Sequence, residues 1–156
     1  VLFRSSCSYQ DECWVWGHLN QKQWTLFRAM LPCDQAHCVR TARRAEELSL
    51  TYGVSEEERG LLVRAALLHD IGKGGAELGF AVRVLQRLPF SREVKRRMAR
   101  IWPHGESALR VLEDHPGIGG EKLRRMGACR RLIGLVAEHH CPTTKLGEIL
   151  KRADDG

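Results

Sequence analysis

Seven side chains able to bind a metal are strung along this chain: His37, the adjacent pair His69-Asp70, His115, the adjacent pair His139-His140, and Asp154. The stretch that organises them is Leu67-Leu68-His69-Asp70-Ile71-Gly72-Lys73. Between Leu61 and Ile71 the chain is apolar nearly all round, with Arg64 the main interruption, and a helix of that pattern is buried on several sides. Ending it in an imidazole beside a carboxylate is costly unless something pairs with both, and a divalent metal ion does so. Taken alone, the pair also fits a satisfied core histidine next to a capping aspartate. The ligand-type residues at a distance favour the metal. Imidazole and carboxylate ligands suit Fe, Mn, Zn, Ni or Co better than Ca or Mg, and one such ion or two would activate water for hydrolysis.

The elements that must position these groups are helical throughout. Asn20 to Leu31 spaces Trp24, Leu26, Phe27, Met30 and Leu31 along one side of a short helix, which Pro32 stops. Asp34 then serves as N-cap of a helix on which His37, Thr41, Ala45, Leu48 and Tyr52 share a face, and Gly53 closes it. Ser55 and Glu58 form a capping box at the start of the central helix, Glu56 to Ile71, which delivers His69 and Asp70. Lys73, four residues past His69 and three past Asp70, stays on their side if the helical path continues. There its ammonium either meets a substrate phosphate or serves as a helix C-terminal cation. Gly72 and the Gly74-Gly75 pair permit close backbone approach and a turn.

Further helices are expected over Gly79–Leu88 and, capped by Ser91, over Arg92–Ile101. The second carries Lys95, Arg96, Arg97 and Arg100, a run that reads as a solvated face or as a steering surface for an anion. Trp102 to Gly105 is a break, and His104 in it has no assigned role. Glu106 to Glu113 is a short helix ending ahead of His115-Pro116, because proline disfavours helical geometry in the residue before it, so His115 is expected at a helix start. Gly117–Met126 and Ala128–His140 are helices, the latter ended by Pro142. Neighbouring helical residues point about 100° apart, so His139 and His140 are not expected to address one metal together, and His139 ranks first. Leu146 to Asp154 is the last helix. Residues 1–18 show no useful period, and Val1-Leu2-Phe3-Arg4-Ser5 looks like a translated sequencing adapter. The expected organisation is a poorly defined segment 1–18, artificial if that likeness holds, and one domain over 19–156.

Composition bounds the rest. With 156 residues and 43% hydrophobic content there is material for one core. A formal charge of +6 is compatible with an anionic substrate such as a phosphate ester and with nucleic-acid or membrane contact, and it also describes an ordinary solvated surface, the reading charge alone favours; charge alone is too little for a nucleic-acid partner. Six cysteines without a Cys-x-x-Cys are expected as free thiols, hence a cytoplasmic protein. No apolar run approaches a membrane span and no charged-then-apolar leader is seen, so no membrane partner is expected.

The ordered set of His37, His69-Asp70-Ile71-Gly72-Lys73, His115-Pro116-Gly117-Ile118-Gly119, His139-His140 and Ala153-Asp154 resembles the HD superfamily of metal-dependent phosphohydrolases, from about Asp34 to Asp154. The bimetallic branches are the most similar, among them HD-GYP phosphodiesterases and dinucleoside-polyphosphate hydrolases. After His139-His140 the chain has Cys141-Pro142-Thr143-Thr144 where the HD-GYP pattern has an acidic residue and then Gly-Tyr-Pro, so the likeness covers the metal core and not that substrate specificity. The resemblance implies an all-α helical bundle of seven to nine helices. It implies a first metal site of His37, His69, Asp70 and Asp154, with Asp70 bridging to a second completed by His115, His139 and His140. The expected activity is hydrolysis of a phosphate ester or anhydride of a nucleotide or phosphodiester, a phosphorylated, nucleotide-like small molecule, with Asp70 and Lys73 as the catalytic pair. The alternatives are a degenerate module that binds a nucleotide without turnover and, as a minority form of the fold, an oxygenase.

Overall fold

The computed structural model describes residues 6–74, 82, 85 and 88–156. Eight α-helices and one 3-10 turn are present among them. In chain order the helices are α1 (Tyr9–His18), α2 (Gln21–Arg28), α3 (Pro32–Thr51), α4 (Glu56–Leu68), α5 (Arg92–Ala99), α6 (Gly105–Arg125), α7 (Arg130–Ala137) and α8 (Lys145–Asp154), with the 3-10 turn at Ile71–Lys73. The expected all-α bundle is the observed one. The helix expected over Gly79–Leu88 falls, apart from Val82, Leu85 and Leu88, outside the described residues.

The central helix α4 is the core of the core. Leu62, Val63, Ala65, Ala66, Leu67 and Leu68 are all buried, and α2, α3, α7 and α8 pack around them with Phe27, Ala42, Ala45, Leu132, Val136 and Leu150. A second apolar cluster joins Val82, Leu85, Ala99, Ala108, Leu109 and Leu112. Helix α6 links the two, since its Leu123 belongs to the first cluster and its Leu109 and Leu112 to the second.

Several boundaries differ from the sequence expectation for local reasons. Helix α1 lies inside the segment 1–18 that showed no period. Its start is fixed by a capping box between Ser8 and Asp11, and its Val15 is fully buried. Trp14, Val15 and Trp16 in a row spread apolar surface round the helix, which hides the stripe that periodicity detects. Pro32 begins α3 instead of ending the helix before it, because at the first helical position the missing N–H leaves no bond unmade. Leu31 is the cap, and Asp34 sits in the first turn. At the start of α4, Ser55 accepts from the Glu58 amide, which is one half of the expected capping box; the Glu58 carboxylate accepts from the Ser55 hydroxyl at 3.4 Å rather than from the Ser55 amide.

The largest difference concerns His115. It is not at a helix start, and no helix ends at Glu113: α6 runs unbroken from Gly105 to Arg125 with Pro116 inside it. A proline there has no N–H for the carbonyl of Leu112. That oxygen instead accepts a hydrogen bond from His115 Nδ1 at 2.6 Å.

Candidate metal centre

Five segments bring the seven residues together. Helix α3 contributes His37, and α8 contributes Asp154 from its last turn. His69 caps the C-terminus of α4, and Asp70 stands between it and the 3-10 turn. His115 comes from the middle of α6. His139 and His140 lie in the turn after α7, which ends at Ala137 rather than running on to Pro142. Because they are not helical, the 100° argument does not apply. Their rings are 4.1 Å apart, and both offer a nitrogen to one group with His115.

Ligand atoms within 4.8 Å of one another form three overlapping groups: His37, His69 and Asp70; His69, His139 and Asp154; and His115, His139 and His140. Asp70 lies between the two ends of this series. Its Oδ1 is 3.2 Å from Nε2 of His115 and 3.5 Å from Nε2 of His69, while its Oδ2 is 3.8 Å from Nε2 of His37. Lys73 donates to that Oδ2 at 2.6 Å, so the continued turn does keep the ammonium on the ligand side. Asp154 Oδ1 lies 2.8 Å from His37 Nε2 and 3.3 Å from His69 Nε2, whereas Asp155 is exposed.

The hydrogen bonds settle which nitrogen each buried ring presents. His69, His115 and His139 each place Nδ1 against the backbone carbonyl three residues earlier, those of Ala66, Leu112 and Val136, at 2.6–2.8 Å. A carbonyl only accepts, so Nδ1 carries the hydrogen and Nε2 of the neutral ring carries a lone pair. Those three Nε2 atoms and Asp70 Oδ1 are buried with no hydrogen-bond partner among the described residues. Four electron-pair donors in one dry place repel one another unless a cation sits among them. The donor set therefore fits a divalent metal. Fixing Nδ1 to a carbonyl is also how protein-bound metals have their histidine ligands oriented.

Without the metal, protons do part of its work. Burial opposes charge on His69, but Asp70 beside it, then Cys38 and Asp154, hold its pKa well above the ordinary imidazole value. Burial likewise opposes charge on Asp70, yet His69, His115 and Lys73 hold its carboxyl well below the usual range. Asp154 is depressed against its own burial by His37 and His69. Burial and the nearby His69 push His139 down to about 3, so its ring is neutral and its lone pair available. His140, exposed at the edge of the group, is lowered by partial burial and by His115.

Two supporting groups carry no signal in the sequence. Lys122 on α6 reaches across to donate to the carbonyl of Ile71 at 2.8 Å, pinning the 3-10 turn. Cys38, one residue past His37, is fully buried with its sulfur 3.7 Å from His69 Nδ1. An ordinary helical lysine and one thiol among six offer nothing to select them by. Gly72 was expected to allow close approach, and it does: a Cβ there would lie 1.8 Å from the carbonyl oxygen of His115. His104 takes no part in the centre; it caps α6 in a left-handed conformation at φ 58°. All six cysteines are free, and no helix among the described residues is long and apolar enough to cross a membrane.

No curated protein and no solved structure matches the chain. A family model described as HD domain matches residues 35–155, the span that holds all seven ligand-type residues. With that match over most of the sequence, and with an all-α bundle closing round a His/Asp cluster, the chain belongs to the HD domain family.

Proposed function

We propose that the chain is a metal-dependent phosphohydrolase that cleaves a phosphate ester or anhydride of a nucleotide or phosphodiester. HD domains bind divalent metals and are typically metal-dependent phosphohydrolases. The observation that carries the reading here is the convergence of four buried ligand atoms, from His69, Asp70, His115 and His139, that have no hydrogen-bond partner among the described residues. On this reading His37, His69, Asp70 and Asp154 hold one ion, and Asp70, His115, His139 and His140 hold a second, the ions being Fe, Mn, Zn, Ni or Co. Bound ions of this kind supply a hydroxide near neutral pH and offset charge on phosphate oxygens.

The chain's own groups do the rest. Asp70, held ionised by three cationic or polarised neighbours, keeps a negative charge between the two ends of the cluster. Lys73, hydrogen-bonded to Asp70 and partly exposed, can turn a second N–H to a non-bridging phosphate oxygen, where it stabilises charge as the leaving group departs. In hydrolysis of a diester, one P–O bond forms to water and the P–O bond to the leaving oxygen breaks. One proton of the water ends on the leaving oxygen and the other stays with the product phosphate.

The test is hydrolysis of bis(p-nitrophenyl) phosphate by Mn-reconstituted protein. Turnover by the wild type and its loss in His69→Ala and Asp70→Ala support the reading. A protein that binds Mn tightly yet turns over no nucleotide, cyclic dinucleotide or dinucleoside polyphosphate is a binding module instead.

A further inference from the structure

A pocket of about 380 Å³ lies apart from the metal-binding residues, none of which lines it. It is bounded by α7, the turn that follows, the first turn of α8 and Glu58 at the start of α4. The turn is shared: His139 and His140 belong to the centre, while Glu138, Pro142 and Thr143 line the pocket, with the Thr143 hydroxyl donating to the Glu138 carboxylate at 2.7 Å. The volume falls in the range of roughly 300–1,000 Å³ that holds small organic molecules. Its lining is mostly apolar, and the buried members are Leu135, Leu146 and Gly147. Gly134, inside α7, adds to the space. Glycine is a poor residue for a helix interior, yet a Cβ on it would meet nothing within 4 Å. Packing does not require the missing side chain, and a bare helix backbone lets a ligand come close.

The charged side chains of the lining are exposed or half-exposed. Three are cations, Arg130, Arg131 and Lys145, and two are carboxylates, Glu58 and Glu138. Arg131 and Glu58 offset each other at 2.8 Å. Lys145 donates to the Tyr52 carbonyl at 3.3 Å, which leaves its charge in place, and Arg130 has no ion pair among the described residues. Against these two cations stands Glu138 alone, so the balance is positive. We infer that this pocket binds a small molecule with an apolar body and one carboxylate, the carboxylate held by Arg130 and Lys145 and the body lying on Leu135, Leu146 and the Gly134 backbone. The site is independent of the phosphohydrolase reading. Inorganic phosphate would leave the apolar lining uncovered, and a neutral hydrocarbon would leave the cations unmatched.

The probes are 2-naphthoate and 2-naphthalenemethanol, which share an aromatic body and differ in charge. Binding of each to the Mn-loaded full chain is measured by calorimetry. The wild type is expected to hold 2-naphthoate about tenfold or more tighter than the alcohol, the worth of a charge-assisted contact. Gly134→Leu puts a side chain into the open space and should lose most of the affinity for both probes. Its melting temperature should stay level or rise, because leucine is the better helix former. In Arg130→Gln/Lys145→Gln the advantage of 2-naphthoate should fall close to one while the alcohol binds as before. Both of these residues are exposed, and an unchanged circular dichroism spectrum shows that the double variant is folded. If Gly134→Leu does not fold, the double variant decides alone. A carboxylate coordinated at the Mn centre would keep its affinity in both variants. That result, equal binding of the two probes, or no binding of 2-naphthoate by the wild type overturns the inference.

Discussion

The Nδ1 of His115 lies 2.6 Å from the carbonyl oxygen of Leu112, and Pro116 is what leaves that oxygen to it. In an unbroken helix the amide of residue 116 would claim it. The same need is met differently at the other two buried rings. Helix α4 ends at Leu68 and α7 at Ala137, so Asp70 and His140, whose amides would claim the Ala66 and Val136 carbonyls, lie beyond the helices. Three histidines thus acquire the same orientation, twice by stopping a helix and once by a proline inside one. Pro116→Ala restores the competing amide. We expect the metal-free variant to be more stable, on the order of 1–3 kcal/mol as proline leaves a helix interior, and its Mn affinity to fall about 10–100-fold as the ring loses its tether. Chemical denaturation and calorimetric titration read the two effects, which have opposite signs. An unchanged affinity would refute the tether.

Gly72→Ala tests the contact between the 3-10 turn and α6. The new Cβ meets the backbone of α6 at two points, 1.8 Å from His115 O and 2.8 Å from the Gly119 amide nitrogen, and backbone cannot rotate away as a side chain can. Overpacking of this kind costs about 1–3 kcal/mol or more. The turn carrying Lys73 should also shift relative to His115. A lower urea midpoint together with weaker Mn binding is the expected result, and a variant with wild-type stability would show that the turn and α6 are not held at this distance.

Asp70→Asn keeps the shape and removes the charge that lies between His115, His69 and Lys73. For the wild type, metal at one hundred times its dissociation constant adds about 2.7 kcal/mol, a rise of roughly 5–10 °C in Tm for a chain of this size. A chelator should reverse it. The variant is expected to show no metal-dependent rise, and a full rise in its melting curve would remove Asp70 from the ligand set.

Lys122→Met removes the donor to Ile71 O while keeping most of the aliphatic stem. Loss of a charge-assisted, half-buried bond should cost roughly 1–2 kcal/mol. Amide exchange should speed up at residues 71–73 before it does in α4. Uniform exchange across both would mean that the lysine does not pin the turn.

The stability of metal-free protein should depend on pH with a sign set by each group. His139 titrates at about 3 when folded against 6.5 in an ordinary imidazole, so between these values the unfolded chain binds a proton that the fold refuses. Stability therefore falls as pH drops through that window. Asp70 and Asp154, depressed in the fold, contribute stability above the ordinary aspartate value of 3.8 and lose it as pH falls toward their folded values. His69 acts oppositely: its contribution is complete below 6.5 and is lost as pH rises through its elevated folded value. Urea midpoints from pH 7 to 3 should fall more steeply in the wild type than in His139→Gln, and equal slopes would contradict the burial of a neutral ring.

Much of this was legible in the residues. The His69-Asp70 pair at the end of an apolar helix, the distant histidines and Asp154 are all identifiable from residue type and order, and the structure gathers all seven. What failed was local. The proline rule placed His115 at a helix start, whereas tertiary packing of α6 across both apolar clusters carried the helix through Pro116. The helical spacing of His139 and His140 separated them, because nothing in Ala128–His140 signals that the helix stops at Ala137. Helix α1 escaped notice since its apolar residues are adjacent, not periodic.

By itself the sequence determined the composition of the centre, its helical setting and the family, because ligand types and their order are written in one dimension. Only the tertiary structure decided which nitrogen each ring presents, that Asp70 stands between the groups, and that Lys122 holds the 3-10 turn. Those facts depend on distances between segments tens of residues apart, and such distances are fixed by how the helices pack, not by spacing along the chain.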